Sequence, residues 1–243
     1  FLLLTSAQKI IFMEQNAERF LAIFNAMERH LQNQFNNGSH GPFRMLVKTA
    51  ANKDALYRRF QEELFIIGDL RNVIVHNDRF DGRVIAEPVD EIVDKFDEIW
   101  HTIQHPEKVH IFEKKVYYCF ADDRLTKALN IMIKHKINLI PVLQNSEIID
   151  VLNGNHITFW LAKQGIVSTD ETTISEVLQN AEYRGNFRLI PRWMSVFDAA
   201  ELFRKSYKDE PVNRYYDALV ITEKGHQNEQ MTGIIVLKDI ANY

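Results

Sequence analysis

The sequence predicts an α+β chain of two domains, a helical bundle over residues 13–106 followed by two β-α-β-β-α repeats over residues 107–243. Three observations carry this expectation. Apolar residues recur at helical spacing up to Pro106, the period becomes strand-like after it, and the second half can be laid on itself as two copies, 107–164 and 165–243.

In the helical half, Phe20, Phe24, Met27 and Leu31 define one helix from Ala17 to Phe35, and Asn36-Asn37-Gly38-Ser39 breaks it. Pro42 suits the first turn of a short helix over Phe43–Ala51. A long amphipathic run, Asp54 to Val75, carries Leu56, Phe60, Leu64, Ile67 and Leu70 or Val73 on one side and closes at His76-Asn77. Asp81-Gly82 reads as a turn and Arg83–Ala86 as a short extended piece. Pro88 opens a last helix with Ile92, Phe96 and Ile99 inward, closed by His105-Pro106. Beyond it, strands are expected at Val109–Phe112 and Val116–Phe120, a helix at Leu125–His135, strands at Asn138–Leu143 and Ile148–Leu152 about an Asn145-Ser146 turn, and a helix at His156–Lys163. The order recurs as Phe187–Ile190, Val196–Tyr207, Tyr216–Thr222, a Lys224-Gly225 turn, and Gly233–Val236 running into Asp239-Ile240. Gln104–Lys115 and Gly165–Gly185 are the least patterned stretches.

With 243 residues, 46% of them hydrophobic, the chain can bury one large core or two ordinary ones. The net charge of -4 argues against a general nucleic-acid coat, so any such contact is local. Cys119 is the single cysteine, which excludes a disulfide framework and a thiolate zinc cluster and fits the reducing cytoplasm. Phe1–Leu4 is too short to span a bilayer, and no other segment approaches that length, so no membrane partner is expected. Met13 reads as a natural start, leaving residues 1–12 as an upstream extension or an addition.

The repeats align residue by residue. Asp123–Leu129 lies on Met194–Ala200, Asn138–Leu143 on Tyr216–Ile221, and Asp150–Ile157 on Gly233–Ile240. This pattern, with Pro141-Val142, the helix starts at Leu125/Ala128/Leu129 and Val196/Ala199/Ala200, and the closing Gly233–Ile240 segment, resembles a CBS domain pair. The resemblance implies an adenosine-containing regulatory ligand (AMP, ADP, ATP or S-adenosylmethionine) in clefts between the repeats, with no required cofactor. In that family the last strand ends Gly-x-x-Thr-x-x-Asp, with the Asp on the ribose hydroxyls. Here Asp239 matches the Asp and Val236 replaces the Thr, whereas the first repeat has Asn153 and His156 at the two positions. The Asp239 cleft is therefore the one expected to hold ligand, with Lys238, Arg188 and Arg192 near enough in the pattern to meet phosphates. The other reading has Asp239 simply capping the last helix.

Leu70–His76 carries an Arg, an adjacent Asn, and a His five positions after the Arg. Guanidinium grips phosphate in a fork and imidazole moves protons near neutral pH. This set resembles the motif of HEPN domains, helical bundles that include metal-independent ribonucleases. Five residues along a helix turn by about 500°, leaving Arg71 and His76 about 140° apart, so they converge only if the helix ends early or two chains face each other. The resemblance implies the second route, a homodimer cleaving RNA through its 2′-hydroxyl. His76 would be the general acid or base, Arg71 the stabiliser of phosphorane charge, and Asn72 the orienting group. Lys53, Arg58, Arg59, Arg79 and Arg83 would guide the phosphate chain. The alternative leaves His76 on the helix macrodipole, Asn77 at C′, and Arg71 paired with Asp69 or Glu63. His101 and His105 lack a third metal ligand, and Trp160, Trp193 and Tyr215-Tyr216 fit core packing. Two functions remain open: a nucleotide-gated endoribonuclease, or the same architecture acting as a non-catalytic, nucleotide-responsive scaffold.

Overall fold

In the computed structural model, residues 6–76, 87–181, 184–206 and 216–243 are described, without the side chains of residues 6–15, 76, 205 and 206. The Asp81-Gly82 turn, the Arg83–Ala86 piece, Asn77, Arg79, Tyr207, Tyr215 and the side chain of His76 lie outside the described residues. The chain forms two units, Phe1–Pro106 and Glu107–Tyr243.

The first unit contains α1 (Ser6–Phe35), α2 (Phe43–Lys53), α3 (Ala55–Arg59), α4 (Gln61–His76) and α5 (Asp90–Gln104). Phe20, Phe24, Met27 and Leu31 put one face of α1 into the core. The Phe20 ring meets Phe96 of α5 at 5.3 Å and the Phe24 ring meets Phe43 of α2 at 4.4 Å between centroids. The run read as one helix from Asp54 is two. Asp54 caps α3 by accepting the Leu56 N–H at 2.8 Å, and the chain leaves helical geometry at Phe60, φ -102° and ψ 13°. In α5 the inward set is Val93, Phe96, Ile99 and Ile103; Ile92, expected inside, is exposed, as is Val73 of α4.

The second unit repeats one arrangement. β1 (Cys119–Phe120), α6 (Leu125–His135), β2 (Leu139–Gln144), β3 (Glu147–Asn153) and α7 (Gly154–Ala162) form the first copy, and α8 (Ile174–Gln179) follows. β4 (Phe187–Pro191), α9 (Val196–Ser206), β5 (Ala218–Thr222), β6 (Gly233–Ile235) and α10 (Leu237–Ile240) form the second. Each copy has a three-stranded sheet in sequence order, its first pair parallel and its second antiparallel. Asn145 and Ser146, both at positive φ (50° and 67°), make the tight β2–β3 turn whose twist matches the strands. Ile148, Val151 and Val220 join the copies in a shared cluster with Leu139, Leu189 and Ile234 packed against it.

Two sequence expectations fail here for non-local reasons. Val109–Phe112, with strand-like composition, is a 3-10 turn, closed by bonds from Ile111 N–H to Lys108 O and from Glu113 N–H to His110 O. Only Cys119–Phe120 of the expected Val116–Phe120 strand pairs. The Gly165–Gly185 stretch contains α8, capped reciprocally by Thr173 and Glu176.

The packing also divides the unit differently from the 164/165 boundary. Residues 107–114 precede the first copy but attach to the second. Val109 N–H bonds Met194 O, Val196 N–H bonds Glu107 O, and Val109 is buried in the second core. Conversely α8 precedes the second copy but packs on the first, through Ile174 N–H to Asp123 O and through buried Ile174, Val177 and Leu178. The antiparallel bridges Lys108–Ser195 and Arg124–Thr173 are the same contact in the two copies. Each copy completes its core with the other's lead-in segment.

Candidate ligand-binding site

The two copies end alike and differ in chemistry. Where β3 enters α7, Asn153 Oδ1 accepts the His156 N–H at 3.0 Å and His156 Nδ1 accepts the Asn153 N–H at 3.4 Å, a closed capping box. Both side chains are buried. Asn153 Nδ2 also donates to Asp217 Oδ2 at 2.8 Å, and burial holds the Asp217 carboxyl above its usual pKa. Asp150, itself buried, accepts from Gly185 N–H at 3.2 Å and faces Arg184 at 3.4 Å. The first copy's polar groups are thus engaged with the protein itself.

Where β6 enters α10, Val236 has no acceptor, so only half the box forms: the Val236 N–H donates to Asp239 Oδ2 at 3.0 Å. Asp239 Oδ1 has no hydrogen-bond partner among the described residues. The carboxylate caps the helix with one oxygen, and Asp239 lines a cavity of about 310 Å³. Three segments build this cavity. Lys114, Lys115 and Tyr117 come from the lead-in to β1, His135, Lys136 and the apolar Ile137, Leu139 and Pro141 from the α6–β2 junction, and Ile234, Val236, Lys238 and Asp239 from the end of the chain. The Tyr117 and His135 rings stack at 3.7 Å. Gly233 lets the lead-in approach: a Cβ there would lie 2.9 Å from Phe112 O and 2.9 Å from Ile221 Cδ1.

Of the residues expected at the ligand, Asp239, Lys238 and Val236 line this cleft. Asn153 faces a neighbouring cavity of about 460 Å³ shared with Asp217, Val236 and Lys238. His156 is held in its box. Arg188 and Arg192 line neither cavity. Arg188 is exposed on β4 opposite Leu219, and Arg192 is paired with Glu113 at 3.0 Å and Glu223 at 3.3 Å. The sequence reading missed Lys114, Lys115, Tyr117, His135 and Lys136, which belong to segments remote from Asp239 along the chain.

In the first unit, Arg71 and Asn72 line a cavity of about 330 Å³ with Arg44, Phe24 and Phe65. The Arg71 guanidinium lies 5.5 Å from the Phe24 ring centroid and Arg44 lies 4.1 Å from that of Phe65. Asp69 and Glu63, the suggested partners of Arg71, instead face Arg44 at 3.6 Å and Arg59 at 3.8 Å. Lys53 and Arg59 are exposed and Arg58 is half-buried.

Among the described residues no group of three His, Cys, Asp or Glu could hold a metal, and no helix is long and apolar enough to cross a membrane. Burial pushes the Cys119 thiol up to about 11, which suppresses thiolate chemistry. Trp160 is buried, but Trp193, expected in the core, is 65% exposed.

A CBS domain family model matches residues 109–163. No curated protein matches the sequence. Among solved structures, a protein with CBS domains from Burkholderia ambifaria MC40-6 is 14% identical, with a TM-score of 0.40 over 54% of this chain and 82% of that one. A CBS domain pair solved with 5-methylthioadenosine and S-adenosyl-L-methionine is 17% identical, with a TM-score of 0.41 over 56% and 94%. CBSX2, solved with AMP, is 11% identical, with a TM-score of 0.42 over 56% and 95%. Residues 109–163, which carry the first copy and two of the three segments that build the lysine-lined cleft, are thus similar to the CBS domain.

Proposed function

We propose that residues 107–243 act as a CBS-type pair that binds an adenosine-containing ligand, and that the chain is a cytoplasmic, nucleotide-responsive regulator. The observation that carries this reading is Asp239, which has one carboxylate oxygen left unbonded among the described residues and lines a cleft together with apolar residues and four lysines. A carboxylate accepts hydrogen bonds from the vicinal hydroxyls of a ribose. Ile137, Leu139, Pro141, Ile234 and Val236 offer a purine an apolar surface. The self-bonded Asn153 and His156 favour the Asp239 cleft over its counterpart in the first copy. The test is a thermal-shift panel of AMP, ADP, ATP and S-adenosylmethionine. A ligand that binds only the folded state stabilises it by about 2.7 kcal/mol at a hundred times its Kd. No shift with any of the four would overturn the reading.

A second reading concerns the first unit and rests on Arg71 and Asn72 sharing a cavity with Arg44. It takes the unit as a HEPN-like, metal-independent endoribonuclease acting as a homodimer, with His76 as the proton-transfer group. The product would carry a 2′,3′-cyclic phosphate, and cleavage would survive EDTA. His76→Ala should abolish it and Arg71→Lys should impair it, because an ammonium lacks the planar fork. Wild-type cleavage by His76→Ala, or a monomer in light scattering, would leave the regulatory scaffold alone standing.

A further inference from the structure

If the Asp239 cleft takes an adenosine compound, its charge narrows the choice among them. The chain as a whole is acidic, 33 Asp and Glu against 29 Lys and Arg. The cleft inverts that balance: Lys114, Lys115, Lys136 and Lys238 line it, and among the described residues Asp239 is its one acidic lining residue. None of the four lysines forms an ion pair with another described residue. The Lys115 Nζ lies 5.2 Å from the Tyr117 ring centroid.

The Lys114 N–H donates to Thr232 O at 3.0 Å, which ties the lead-in beside β6. Lys136 sits in the left-handed region at φ 52°, at the end of α6, where glycine or asparagine is the usual residue. A lysine there carries a conformational cost that glycine would not, and it brings a cation to the cleft rim. Four lysines and one carboxylate give the described lining a positive balance, which favours an anion. A monophosphate neutralises part of this charge and a triphosphate more. S-adenosylmethionine does the opposite, since its sulfonium and ammonium outweigh its carboxylate and bring net positive charge into a field already positive.

We infer, on the basis of the adenosine reading, that the cleft selects its ligand by phosphate charge, taking ATP and ADP ahead of AMP and disfavouring S-adenosylmethionine. Lys114, Lys115, Lys136 and Lys238 are the selecting residues.

Calorimetric titration of the full chain with adenosine, AMP, ADP, ATP, S-adenosylmethionine and inorganic triphosphate, in EDTA at low and physiological salt, tests this. Affinity should rise by about tenfold from AMP to ATP, the scale of one added hydrogen bond to a charged group. It should fall with salt for ATP and little for adenosine, because ions screen the rim. Lys136→Gln and Lys238→Gln should each cost ATP about tenfold and adenosine much less. Lys238→Glu should narrow the gap between ATP and S-adenosylmethionine. If adenosine binds but phosphates add nothing, or S-adenosylmethionine binds as tightly as ATP, this inference fails and the adenosine reading stands. If triphosphate alone equals ATP, the rim is a general polyanion site and the inference also fails. If no adenosine compound binds, both fail.

Discussion

Replacing Gly233 by alanine probes the link between fold and cleft. A Cβ at this position would lie 2.9 Å from Phe112 O, 2.9 Å from Ile221 Cδ1 and 3.2 Å from Glu113 Cα. Ile221 can adjust its terminal methyl, but the other two atoms are backbone of the lead-in that bridges to Gly233 and continues into Lys114 and Lys115. Overpacking of this kind costs about 1–3 kcal/mol. At about 2–4 °C per kcal/mol for a domain of this size, Gly233→Ala should lower the unfolding midpoint by about 2–12 °C. The lead-in is the weaker side, so it should shift and carry the two lysines away from Asp239. Thermal unfolding and nucleotide titration of the same variant check both effects. A variant that melts and binds like the parent would refute the claim that β6 holds the cleft wall in place.

The exchange of lead-in segments makes Ile174→Ala costly, by about 2–5 kcal/mol as for other buried aliphatic truncations, and denaturant titration would measure it. By the same argument residues 107–164 should fail to fold alone, whereas 107–243 should fold; a cooperative melt of the short fragment would contradict it. Asp217→Asn should stabilise the protein at neutral pH, because burial raises the Asp217 pKa above its ordinary 3.8. A raised acid contributes stability below its unfolded pKa and loses it as pH rises through the folded one, so the gain should vanish as pH falls through the carboxylate range. Urea unfolding of both proteins near pH 7 and pH 4 is the check, and an equal difference at both would count against it.

Much of the second unit was legible locally. Leu125–His135 is helical over the whole expected span because its apolar spacing is written in adjacent residues, although neither Arg124 nor Lys136 is a usual capping residue. The Asn145-Ser146 turn was legible for the same reason. The lead-in was not: Val109-His110-Ile111-Phe112 has strand composition, but the Val109 N–H bonds Met194 O, and Val109 and Phe112 pack on the second core. The short helix α8 had a readable signal in Thr173-Ile174-Ser175-Glu176, a capping box inside a stretch that otherwise lacks pattern. In the first unit, no glycine or proline marks the break at Phe60. Of the candidate site, Asp239 could be found by aligning the repeats. Lys114, Tyr117 and Lys136 could not, since only the fold brings them to it.

On the proposed reading, Asp239 receives a nucleoside and its counterpart His156 does not. Its most direct test is calorimetric titration of Asp239→Asn and His156→Ala with the tightest-binding adenosine nucleotide. Asparagine at 239 can still accept the Val236 N–H, so α10 keeps its cap while the charged acceptor is lost. The account predicts that Asp239→Asn weakens binding by about 1.5–3 kcal/mol and that His156→Ala, whatever it does to stability, changes affinity far less. Equal losses from the two, or no loss from Asp239→Asn, would contradict it.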